Sequence, residues 1–317
     1  MNGFLNVYKP SGISSYDVIR RLKPYLGSTK VGHLGTLDPM AEGVLPLALG
    51  AATKLIEYVP GTKGYVAEMV LGGVSDTQDA TGTINRRPSR LYYKEEIEEV
   101  LKGFSGYIMQ IPPMYSALRL RGKRLYELAR MGQNVERRPR MVRIYKLSLV
   151  AVTELRAEQR VRIYVECGPG TYIRTLCHDI GQALGCGAYL DFLVRVHSGP
   201  FQIHEALDIR VLSSRRAIEQ RLLPVDYIFA GWPRVIVDDE VRAGIICGRS
   251  VEIGGGVRIE DTTPEGERIK AQLVLERTYP VYDENHNLLA VARACADERG
   301  AMILKPEKVL VKAGEVL

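Results

Sequence analysis

Apolar residues recur at two different periods along this chain, and the switches between them lay out its elements. Val18, Ile19, Leu22 and Leu26 share one helical face, with Ser14 or Ser15 as cap and Gly27 as stop, which predicts a helix over 15–26. A second stripe, Ile173, Leu176, Cys177, Ile180 and Leu184, predicts a helix over 171–184 behind the turn Gly168-Pro169-Gly170. Further helices are expected at 51–59, 94–102, 124–131 and 213–221. Short apolar runs at 44–49, 65–71, 141–150, 160–167 and 189–196 read as strands, and 31–43 and 75–82 as loops rich in turn residues. Strands and helices mix without a regular βαβ alternation, so the expected class is α+β, with a mixed, largely antiparallel sheet and flanking helices. Beyond Gly231-Trp232-Pro233 the texture changes. Strands are expected at 235–237, 251–253, 271–275 and 288–292, with a hairpin turn at 283–287 and no helix. The chain therefore divides into 1–231 and a small all-β unit, 232–317.

Composition narrows the class. The chain has 317 residues, 46% apolar and 25% charged, enough to bury a large core without disulfides or metal. Its longest weakly polar stretch, 43–52, contains a proline and is half a membrane span, and the first residues lack the blocks of a secretory signal, so a cytoplasmic protein with no membrane contact is expected. The five cysteines form no C-x-x-C pair and the five histidines no H-x-x-x-H pair. Most of the cysteines read as small core residues, and no metal site is expected.

Charge adds a partner. The net +6 divides into +9 over 1–231 and −3 over 232–317. Ten basic residues between Arg119 and Lys146, among them Lys123, Arg124, Arg138 and Arg140, face only two acids, with Tyr115, Tyr126 and Tyr145 nearby. Such a density of fork-shaped guanidinium groups favours a nucleic acid over a merely solvated face, without distinguishing RNA from DNA.

Two clusters carry candidate chemistry. In the run from Gly32-His33 to Gly43, Pro39 biases Asp38 towards extended backbone, which would let its carboxylate project from a loop. From spacing alone the bland reading, a turn in which Asp38 bonds its own backbone, is the stronger. Arg174 falls in the first turn of its helix, off the apolar stripe, where the macrodipole disfavours a cation, so an opposing anion would explain it as well as a structural role does. Asp76 and Asp79 read as turn residues.

Taken with Lys9-Pro10-Ser11-Gly12, Lys63-Gly64-Tyr65, the 76–82 and 112–117 segments, Gly122 to Glu127, and Gly170 to Thr175, these clusters resemble the TruB family of tRNA pseudouridine synthases. The C-terminal part is similar to a PUA domain, an RNA-binding β-barrel, best at Leu304 to Val309. The resemblance implies isomerisation of uridine to pseudouridine at position 55 in the tRNA T-loop by a free-standing monomer with no cofactor, metal or obligate protein partner. It assigns Asp38 as nucleophile, Tyr65 as the ring stacked on the target base, and Arg174 as partner of the carboxylate. His33, Tyr172 and Leu193 would line the base site. The basic segment, about 115–146, becomes an insertion gripping the RNA arm, with Lys9, Arg119, Lys123, Arg124, Arg138 and Arg140 on the RNA backbone. An RNA-binding or tRNA-folding protein without catalysis, and a guide-RNA-dependent synthase, are the alternatives.

Overall fold

A computed structural model describes residues 1–116, 118–120, 122–155, 158–212, 214–262, 268–270 and 272–311; side chains of 119, 120, 124, 262 and 268–270 lie outside this description. Ala117 and Arg121 of the basic segment, and Ser213 of the expected 213–221 helix, are also outside it.

A mixed sheet forms the frame. Its order is Leu207–Asp208, Gly3–Lys9, Glu42–Leu49, Ala188–Ser198, Lys63–Leu71, Glu158–Cys167, Arg140–Leu155 and Gly106–Gln110. Two neighbouring pairs run parallel, Gly3–Lys9 with Leu207–Asp208 and Glu42–Leu49 with Ala188–Ser198, and the remainder antiparallel. The helices Ser15–Leu26, Lys94–Lys102 and Ile173–Ala183 bury Val18, Leu22, Leu26, Ile97, Leu101, Leu176 and Ile180 in a cluster with Tyr65, Ala67, Met69, Val161, Ile163 and Val165 of the sheet. Both faces of Gly3–Lys9 and Glu42–Leu49 are covered, so nearly every residue of the two strands is buried. Leu5, Val7, Leu45 and Leu47 point into that core, whereas Phe4, Val44 and Ala48 point into a second one.

The second cluster joins the two halves of the chain. Phe4, Val44, Leu55 and Phe201 pack with Ile228, Phe229, Ile236, Tyr282, Leu288, Val291 and Leu310. The last five belong to a seven-stranded sheet ordered Val251–Glu252, Met302–Val309, Leu288–Ala296, Thr278–Asp283, Arg234–Val237, Val257–Thr262 and Arg268–Lys270, or to its flank. This curled sheet fits a PUA-like unit, and the class is α+β as expected.

Boundaries follow local signals. The first helix is Ser15–Leu26, with a full capping box between Ser14 and Asp17. Of the expected strand at 271–275, residue 271 lies outside the described residues and 272–275 form no strand; the ladder is taken by Thr278–Asp283. The C-terminal half is not purely β either, because Asp238 caps a helix, Asp239–Ile246, whose first turn carries two acids suited to the dipole. Cys167, Cys177 and Cys186 are core residues, whereas Cys247 is exposed.

Candidate active site

The loop from Leu34 to Ala41 leaves the short strand Val31–His33 and re-enters the sheet at Glu42–Leu49. Side chains and backbone from several segments hold it. Ser15, buried at the start of the first helix, donates its hydroxyl to the Leu37 carbonyl (3.1 Å) and accepts the Leu37 N–H (2.9 Å). The Gly12 N–H donates to the Pro39 carbonyl (2.8 Å). Lys9 Nζ donates to the carbonyls of Pro10, Ile13 and Pro39. Arg195 donates to those of Gly35, Thr36 and Val44. Gly43, at φ +104°, lies so close to the Arg195 backbone that a Cβ there would stand 2.3 Å from its carbonyl oxygen.

Asp38 and Arg174 meet although 136 residues separate them. Arg174 Nε lies 2.8 Å from Asp38 Oδ2, and Nη2 donates to Oδ1 at 3.2 Å, a side-on bidentate pair. The guanidinium is buried, with 5% of its side chain exposed, while the Asp38 side chain keeps 36%. The free corner of Arg174 is satisfied by Asp79 Oδ2 (3.4 Å) and the carbonyls of Thr77 (3.2 Å) and Tyr115 (3.0 Å). These anions and dipoles offset the positive helix start on which Arg174 sits. Asp79 keeps its turn role as well, accepting the Thr81 N–H on Oδ1 (3.0 Å). Gln110 fixes the helix start, accepting the Tyr172 N–H (3.1 Å) and donating to the Tyr172 carbonyl (3.2 Å).

Withdrawal from water pushes the Asp38 carboxyl above the ordinary carboxylate range; the Arg174 charge pulls against this, and the Asp79 carboxylate adds to it. Burial likewise raises the Tyr65 phenol, with Arg195 opposing. His33 is held towards the neutral imidazole by burial and then by Arg195, and its buried Nδ1 has no hydrogen-bond partner.

Tyr65 and Leu193 are buried in the core, on adjacent strands, and Tyr172 and His33 are half-buried. Lys123, Arg138 and Arg140 are exposed, while the side chains of Arg119 and Arg124 lie outside the described residues. Lys9 is placed otherwise than expected. It has no exposure, and its ammonium is spent on loop carbonyls with its pKa lowered to about 8 by burial, so a contact to an RNA backbone is beyond its reach in this arrangement. Arg195 and Gln110 escaped the sequence reading, Ser15 was read only as a possible helix cap, and Asp79 was assigned only a turn. A charge inside the apolar run 189–196 was the available signal for Arg195.

The model of the TruB family pseudouridylate synthase N-terminal domain matches residues 23–173, and that of the tRNA pseudouridylate synthase B C-terminal domain matches 174–230. A tRNA pseudouridine synthase B from Syntrophomonas wolfei subsp. wolfei is 46% identical over 84% of this chain and 91% of its own. Another from Heliobacterium modesticaldum is 39% identical over 98% and 96%. Among solved structures, one of a Cbf5-Nop10-Gar1 complex superposes with a TM-score of 0.71 at 26% identity, covering 98% of this chain and 85% of the matched one. These likenesses define a pseudouridylate synthase. The chain belongs to the TruB family.

Proposed function

We propose that this protein converts uridine to pseudouridine at position 55 of the tRNA T-loop, with Asp38 as the nucleophile. The reaction breaks the N1–C1′ bond, turns the uracil and joins C5 to C1′; a proton leaves C5, N1 gains one, and nothing is oxidised or reduced. The observation that carries this reading is the bidentate pair of Asp38 with Arg174, in which the cation is buried and the carboxylate is open to an incoming nucleoside. Arg174 opposes the proton that burial would otherwise place on Asp38, and it fixes the direction of the oxygens.

A uridine stacked in a T-loop cannot reach this loop, so it must be extruded at roughly a few kcal/mol, a cost that is least in unpaired RNA. The Tyr65 ring and the Leu193 side chain supply the apolar floor for the extruded base, with stacking worth about 1–3 kcal/mol; Tyr172 and His33 stand at the rim. Exposed Lys123, Arg138 and Arg140 take phosphates of the T-arm, with Arg119 and Arg124 assigned the same role from sequence. In this reading residues 1–231 form the catalytic domain, the basic segment about 115–146 its RNA-gripping insertion, and 232–317 an RNA-binding domain. The enzyme works in the cytoplasm as a monomer, without metal, cofactor or protein partner. Among the described residues no helix is long and apolar enough to cross a membrane.

The test is mass-spectrometric mapping of pseudouridine in unmodified tRNA incubated with this protein alone and with EDTA present. A single new pseudouridine at position 55, absent with Asp38→Asn, supports the proposal. Tight tRNA binding with no product from either protein returns the non-catalytic reading, and a requirement for added guide RNA returns the guided one.

A further inference from the structure

Arg195 is fully buried; it donates to three backbone carbonyls and also reaches the Tyr65 phenol. Nη2 donates to Gly35 (3.1 Å) and Nη1 to Thr36 (3.4 Å) on the descending limb of the Asp38 loop, while Nε donates to Val44 (2.7 Å) on the ascending limb. One rigid fork thus closes the neck of the loop below the nucleophile. The backbone of Arg195 lies at the same junction. It pairs with Gly43 on one side and with Tyr65, the floor of the base site, on the other.

A guanidinium buried among carbonyls and a phenol is costly, and a chain selected only for stability could fill the position with an apolar residue. What the charge adds is position and field. Its planar donors fix three carbonyls in one rigid geometry, and its charge opposes the rise of the Tyr65 phenol pKa and adds to the burial that lowers the His33 pKa. Resting on the reading that Asp38 is the nucleophile, we propose that Arg195 is a positioning residue for the isomerisation: it sets the reach of Asp38 towards the base on Tyr65 without touching the substrate itself.

The test compares Arg195→Lys and Arg195→Met with wild type in single-turnover pseudouridine formation, tRNA affinity and thermal melting. Lysine keeps the charge and loses the fork. We expect Arg195→Lys to melt as a folded protein and bind tRNA within about twofold of wild type, but to turn over at least about tenfold more slowly, because a displacement of about 1 Å can cost up to a hundredfold. Arg195→Met is expected to be slower still, with a pH–rate profile displaced from that of Arg195→Lys because the field is gone. A folded Arg195→Lys with a rate within twofold of wild type overturns the inference, as does a rate that falls only in step with affinity and melting temperature. Should neither variant fold, Gly35→Ala probes the same neck: its added Cβ would crowd Lys63 Cε at 3.2 Å from a strained φ of +100°. Its rate must then fall with affinity retained, or the inference fails. Wild type forming no pseudouridine would instead sink the functional reading itself.

Discussion

At the residue scale the decisive group is a carboxyl whose environment pulls its acidity in two directions. Burial raises the pKa of Asp38 and Arg174 lowers it, with the net above an ordinary aspartate's value near 3.9. With Asp38 as the proposed nucleophile, activity is expected to be lost as pH falls through that raised value, and the acid limb of the rate profile to lie at higher pH than an unperturbed aspartate would give. Arg174→Met removes the lowering charge and moves the limb further up; a limb that stays in place would separate the two residues functionally. Linkage gives the same carboxyl an effect on stability: between the unfolded and folded pKa values the native state holds the extra proton, so stability falls as pH rises through that window. Asp38→Asn lacks this slope, which paired denaturation curves can show. The same variant is expected to lose at least about a thousandfold in rate while tRNA affinity stays near wild type.

Elements whose ends are written locally were readable. Ser14 and Gly27 bracket the first helix, and Lys94–Lys102 begins and ends where its acids and Gly103 suggest. What was not readable depends on distant partners. Gly106–Gln110 is an edge strand defined by its pairing with Arg140–Leu155, and Thr278–Asp283, absent from the expected strands, takes part of its pairing from Arg234–Val237. Asp38 and Arg174 were singled out separately as candidates, but their pairing came only from the family resemblance. Arg195 stayed hidden because the carbonyls it binds lie some 150–160 residues away, which no side-chain motif records. The two serines at the first helix make the distinction measurable. Ser14→Ala removes a cap and is expected to cost about 1 kcal/mol with the turnover rate unchanged. Ser15→Ala leaves the Leu37 N–H and carbonyl unpaired in the interior, costing about 1–3 kcal/mol and slowing catalysis as well. Urea melts and single-turnover rates on the pair decide it; equal rates would show that the loop does not need this staple.

For the whole molecule, apolar burial and surface charge do different work. Phe201 is fully buried in the shared cluster, with ring centroids 5.8 Å from Phe4 and 5.3 Å from Tyr227, so Phe201→Ala is expected to cost about 3–5 kcal/mol in denaturant unfolding. Lys308 pairs with Glu57 at 2.9 Å across the same boundary, but Glu57 is exposed and Lys308 only half-buried, and Lys308→Ala should cost under about 1 kcal/mol. Arg138→Ala and Lys123→Ala leave the fold alone and weaken tRNA binding, each lowering the salt slope of log K by about 1. Slopes equal to wild type would remove these side chains from the RNA contact.

The apolar cluster that joins the two sheets has one more effect. Parting them would bare Phe4, Leu55, Phe201, Ile236 and Val291 to water, so the span from the catalytic loop to the far sheet is a fixed length rather than a tether. On the proposed reading, in which residues 232–317 also bind RNA, the two contact surfaces are held at one spacing rather than hung on a hinge, and a T-arm lengthened by a base pair is expected to bind more weakly.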